Sequence, residues 1–139
     1  MTERARKMLK GSCLCGGVQF EISGQASGIS QCHCSLCRKA SGTAAIATFS
    51  VPAGQLKWLS GEDIVKTFER PSGYGNTFCS VCGSPVPDAD AKRTRFSIPA
   101  GLLDGDPPLR VTQHIFMGSM AEWEKTAAEA PHFDEFLPK

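Results

Sequence analysis

The chain has no long apolar run. Nowhere do about 18 uninterrupted apolar residues occur, so a membrane-spanning helix is excluded. It has no charge surplus either: 15 Lys and Arg face 14 Asp and Glu, for a net charge of +1. That balance removes the self-repulsion typical of disordered chains, and it argues against the strongly basic surface of a nucleic-acid-binding domain. The cluster Arg4, Arg6, Lys7 and Lys10 reads as a solubilising tail over residues 1–10. Large core formers are scarce, since Leu, Ile, Val and Phe fill only 29 of 139 positions. Such a core approaches the composition at which chains stop folding unaided. With 14 Gly and 9 Pro, the expectation is short strands, many turns and an added staple. Internal repeats, low-complexity tracts and an apolar signal stretch within Met1–Lys10 are also missing. A cytoplasmic location is therefore the default expectation.

Cysteine is what the chain has in excess. Its seven cysteines fall in three groups, Cys13-Leu14-Cys15, Cys32-His33-Cys34-Ser35-Leu36-Cys37 and Cys79-Ser80-Val81-Cys82. In a reducing compartment, closely spaced thiols bind metal or react more often than they form disulfides. A secreted disulfide domain would also leave one of seven cysteines over. Cys13 and Cys15 lie two apart and share a face if extended. Cys79 and Cys82 span a short turn followed by Gly83. Each pair offers two sulfurs, and together they make the closed tetrahedral set of a structural zinc site. A clip between segments this far apart closes a long loop and restricts the unfolded chain strongly. A redox role for Cys79–Cys82 is the competing reading, but Gly83-Ser84-Pro85 opposes the helix such a motif needs.

Cys32, Cys34 and Cys37 lie within six residues. One short segment can grip an ion from one side and leave a vertex free for chemistry. His33 would point away from its neighbours in an extended stretch, as a packing or supporting residue rather than a ligand. Other groupings of the sulfurs remain open, though this one uses all seven. Three thiolates around a zinc ion carry a net charge of about −1, so such a site accepts a soft incoming thiolate more naturally than it activates water. Arg38 and Lys39 follow directly, and either balance that charge, hold a substrate carboxylate or simply face solvent.

Alternation at Val18, Phe20 and Ile22 predicts a strand with one buried face. Further strands are expected at 44–49, 55–59, 64–69, 94–98 and 110–116, separated by Pro- and Gly-rich turns. The expected fold is mainly β with little helix, in a single domain over residues 11–139. One helical turn is expected at Ser35–Ala40 and a short helix at Met120–Ala130, stopped by Pro131. Phe133, Phe136 and Leu137 either pack back on the sheet or form a loose tail.

The segments Gly11–Val18, Cys32–Lys39 and Phe78–Pro85 resemble the glutathione-dependent formaldehyde-activating enzyme family, whose domain centromere protein V shares. His114-Ile115-Phe116 and Trp123 resemble its C-terminal signature, with Glu122 where a proline is usual. The resemblance implies a β-tent of twisted antiparallel sheets and two zinc ions per chain. It implies a structural zinc on Cys13, Cys15, Cys79 and Cys82, and a catalytic zinc on Cys32, Cys34 and Cys37. It also implies a carbon–sulfur lyase-type activity that joins formaldehyde to the thiol of glutathione. Arg38, Lys39, Arg93 or Arg95 would meet the tripeptide's carboxylates. A non-catalytic zinc-binding interaction module and a purely structural two-zinc protein are the rival expectations.

Overall fold

Period-two alternation decides where the core lies. The computed structural model describes residues 8–138. Strand β2 (Gln19–Ile22) buries Phe20 and Ile22, β4 (Ile46–Pro52) buries Phe49 and Val51, and β9 (Arg95–Pro99) buries Phe96 and Ile98. Alternate residues of a strand point to one face, so each strand contributes two side chains to a common cluster. Full burial of each such side chain stabilises the fold by roughly 1.5–3 kcal/mol. Trp58 stands edge-on to Phe20 and to Phe96, with ring centroids 6.4 and 6.0 Å away.

Two sheets enclose this cluster. In the first, β1 (Leu9–Ser12), β2 and β5 (Leu56–Ser60) run antiparallel, with Phe20 opposite Trp58. The second has the order β10-β3-β4-β9-β8, adding β3 (Ile29–Cys32), β8 (Asp88–Ala89) and β10 (Val111–Ile115). Its pairs are antiparallel except β10 with β3, which is parallel. A third, two-stranded sheet pairs β6 (Val65–Glu69) with β7 (Gly75–Cys79). It packs through a smaller cluster of Cys13, Val18, Cys79 and Val86, which Trp58 also touches. Gly61 permits a close backbone approach: it has φ +80°, and a Cβ there would lie 2.3 Å from the Gly17 carbonyl oxygen.

The expected strands all form, each within two or three residues of its expected bounds. Strands β1, β3, β7 and β8 were not expected. Strands β1, β3 and β8 have four residues or fewer, and β7, with five, buries Thr77 and Cys79, a polar residue and a cysteine, in place of an alternating apolar pair. Strand β1 begins at Leu9, so it takes the last two residues of the expected tail into a sheet. Arg4, Arg6 and Lys7 lie outside the described residues. Helix α1 (Ser35–Ser41) forms as expected and stops at Gly42, which has φ +67°.

At the C-terminal end one expectation fails and one open alternative is decided. Met120–Ala130 forms separate 3-10 turns at Glu122–Glu124 and Ala127–Glu129 in place of a helix. A helix of that length needs an apolar face to bury, and Trp123 is 67% exposed. Phe133, Phe136 and Leu137 are also exposed, so the segment does not pack back on the sheet. Among the described residues no helix is long and apolar enough to cross a membrane.

Candidate metal centres and the adjoining cleft

The turn between β1 and β2 carries Cys13 and Cys15. The end of β7 and the turn after it carry Cys79 and Cys82. Their four Sγ atoms all lie within 4.8 Å of one another. Cys13 Sγ and Cys15 Sγ are 3.6 Å apart, and Cys15 Sγ and Cys79 Sγ 3.9 Å. The edge of a thiolate tetrahedron with metal–sulfur bonds near 2.3 Å is about 3.8 Å, so the donor set fits a metal of that size. All seven cysteines are free of disulfides.

Backbone amides already serve these sulfurs. Val18 N–H donates to Cys13 Sγ at 3.3 Å and Gly17 N–H to Cys15 Sγ at 3.4 Å. Ser84 accepts from Leu14 N–H at 2.9 Å, and its hydroxyl lies 3.3 Å from Cys82 Sγ. The Ser84 hydroxyl and amide bring the Cys82 thiol down to about 5. The Gly17 amide pulls Cys15 the same way, but the adjoining sulfurs, Cys13 first, outweigh it and push Cys15 up to about 11. Cys13 and Cys82 are lowered while Cys15 is raised, so the sulfurs ionise in conflict with one another. A cation held among them would remove that conflict, because thiolates and not thiols are metal ligands.

The second group is built differently. Cys32 ends β3, Cys34 is the N-cap of α1, and Cys37 lies in its first turn. Cys34 Sγ accepts the Cys37 N–H at 3.3 Å, so the cap that starts the helix also aims the sulfur. The three Sγ atoms lie within 4.8 Å of one another, and no fourth His, Cys, Asp or Glu among the described residues joins them. This donor set fits an ion held from one side. Burial and the neighbouring sulfurs push Cys37 up to about 12 against the Tyr74 hydroxyl, which donates to Cys37 Sγ at 3.4 Å. Burial, then Cys37 itself, raises Tyr74 as well.

A cleft of about 390 Å³ opens beside this group. Cys32, Cys37, Tyr74, Asn76, Thr77 and Asp88 are among its polar lining, and Ile46, Val86 and Pro99 are among its apolar walls. The chain enters the cleft from β3, α1, β4, β7, β8 and β9, so three parts of the fold meet there.

His33 turns away from the cleft, as its extended setting predicts. It is buried, its amide donates to Ile115 O at 3.0 Å, and its Nε2 lies 3.2 Å from His114 Nδ1. Among the basic candidates, none lines the cleft. Arg38 is half-buried and Lys39 exposed on α1. Arg93 borders a neighbouring cavity, and Arg95 donates to Ser50 Oγ at 3.0 Å. The sequence reading missed Tyr74, Thr77 and Asp88. Tyr74 follows the Pro71-Ser72-Gly73 turn and was within reach as the chain's single tyrosine. Thr77 and Asp88 carry no spacing relation to the cysteines that would have marked them.

A family model described as "Glutathione-dependent formaldehyde-activating enzyme" matches residues 8–119. A Halomonas elongata protein named "Putative glutathione-dependent formaldehyde-activating enzyme" is 28% identical over 126 residues, spanning 84% of this chain and 79% of that protein. A crystal structure of a Rhodobacter sphaeroides protein superposes with a TM-score of 0.57 at 19% identity. It covers 74% of this chain and 99% of the other, and it supports the fold alone.

Proposed function

The chain belongs to the glutathione-dependent formaldehyde-activating enzyme family, and on that premise we propose that it joins a small thiol to formaldehyde or a related aldehyde in the cleft beside Cys32, Cys34 and Cys37. Glutathione is the thiol that the family description names. The observation that carries the reading is a three-sulfur group, with no fourth described donor, opening on a cleft. We assign zinc to both cysteine groups, a closed structural ion on Cys13, Cys15, Cys79 and Cys82 and a reactive one on Cys32, Cys34 and Cys37. At the latter, zinc would supply a positive charge that favours the thiolate form of a bound thiol.

In the reaction the thiol loses its proton and its sulfur forms a bond to the carbonyl carbon. The C=O π pair moves to oxygen, which takes up a proton to give the hydroxymethyl thioether. The reverse step breaks a carbon–sulfur bond and makes the enzyme a carbon–sulfur lyase. The chain's own groups orient and protonate. Tyr74 Oη lies on the cleft and donates to Cys37 Sγ; turned to the aldehyde oxygen, the same proton would meet the charge that develops there. The apolar walls exclude water and hold the reactants together. Arg38 and Lys39 stand outside the lining, which suits charge balance for a three-thiolate site better than a grip on substrate. Seven free cysteines accord with a reducing compartment such as the cytoplasm.

The test is thiol-adduct formation above the spontaneous rate, followed by NMR of the hydroxymethyl carbon in zinc-loaded protein. Cys34→Ser is expected to abolish the enzymatic rate. An unchanged rate would reject the assignment.

A further inference from the structure

The cleft is unusual in its charge. Among its lining residues Asp88 is the one acidic side chain, and no Lys or Arg accompanies it among the described residues. A second cavity of about 400 Å³ shares Gly75, Thr77 and Asp88 with the first. It adds Glu62 and Glu69 against the single cation Arg93. Carboxylates on a substrate would thus meet mostly carboxylates.

Asp88 is also held in place. Thr77, itself buried, donates its hydroxyl to Asp88 Oδ1 at 2.7 Å. Thr67 Oγ1 lies 2.9 Å from Thr77 Oγ1, so a short chain of hydroxyls fixes the carboxylate from behind. The other carboxylate oxygen has no side-chain donor and no ion-pair partner among the described residues. A carboxylate oriented on one oxygen and free on the other, in a half-buried cleft, is a site for a cationic donor.

We propose that Asp88 anchors an ammonium group on the acceptor thiol, so that the cleft favours aminothiols over thiols whose charge is a carboxylate alone. The proposal rests on the thiol-and-aldehyde reading for its substrate. Glutathione satisfies the anchor through its single ammonium group, while its two carboxylates find little to pair with. A hydrogen bond between charged partners in such a setting corresponds to about tenfold to a hundredfold in affinity.

Two measurements test this on zinc-loaded protein. The first is binding without chemistry. 2-(Methylthio)ethylamine keeps the ammonium group but has no ionisable sulfur, and 2-(methylthio)ethanol is its neutral match. Followed by NMR shifts, the amine is expected to bind about tenfold more tightly than the alcohol. Asp88→Asn, which still accepts from Thr77, is expected to remove that advantage. Equal affinities in the wild type, or an advantage that survives in Asp88→Asn, overturn the anchor. The second compares kcat/KM with formaldehyde for 2-(dimethylamino)ethanethiol, whose tertiary amine cannot close a thiazolidine ring, 2-mercaptoethanol and 3-mercaptopropanoate, per thiolate present. The expected order falls from amine to alcohol to carboxylate, and the spread collapses in Asp88→Asn. Turnover of all three without that order rejects the anchor and leaves the enzymatic reading standing. Turnover of none, with preferential amine binding intact, rejects the enzymatic reading and leaves the anchor.

Discussion

Cys34 combines two tasks in one side chain, and they can be separated. Its sulfur caps α1 and is one of the three clustered donors. Serine is among the best N-caps, so Cys34→Ser keeps the helix start while removing a thiolate. The expected result is an unchanged far-UV circular dichroism spectrum with one metal equivalent fewer per chain, alongside the loss of rate described above. Gly61 presents the opposite case, where backbone conformation and contact coincide. A methyl group there meets the Gly17 carbonyl and must also hold φ +80°. Gly61→Ala is expected to destabilise the loaded protein by about 2–4 kcal/mol, measured by denaturant unfolding. A loss below about 0.5 kcal/mol, the range of neutral surface changes, would contradict this account.

Among the elements, the β6–β7 hairpin depends most on the closed cysteine group. An isolated two-stranded sheet is marginal in water. Phe68 on β6 is 64% exposed, and the hairpin's buried contacts run mainly through Cys79 and Thr77. Hydrogen exchange after chelation is therefore expected to speed up first at the amides of β6 and β7, while those of β4 and β9 stay protected. Uniform acceleration across all strands would instead mean that the hairpin opens only with the whole fold. The missing C-terminal helix shows the limit of local patterning. Spacing and a stopping proline were present, but among the described residues no partner surface covers Trp123, and propensity alone does not hold so short a helix.

For the molecule as a whole, the hydrophobic core is small, and a metal held by Cys13, Cys15, Cys79 and Cys82 would share the work of folding. Metal binding at such a site is folding free energy. Cys79→Ser is expected to lower stability by more than about 5 kcal/mol, a large part of a small domain's total. A normal melting curve would show that the core suffices. Much of this architecture was legible in advance. The alternation of Phe20 and Ile22 marked a core strand, and the cysteine spacings marked both donor groups, because period and spacing are local properties of the chain. The cleft was not legible. Tyr74, Thr77 and Asp88 reach it only through the packing of two sheets and α1, and nothing in their own neighbourhoods records that meeting.

The parallel pairing of β10 with β3 sets an order of events during synthesis. Strand β3 delivers Cys32, and the His33 amide is satisfied by Ile115, a residue translated some eighty positions later. The segment bearing Cys32, Cys34 and Cys37 therefore emerges from the ribosome long before its flanking strand exists. Its thiols stay incompletely framed until that strand has followed, so a metal would meet the complete centre only after β10 has been made.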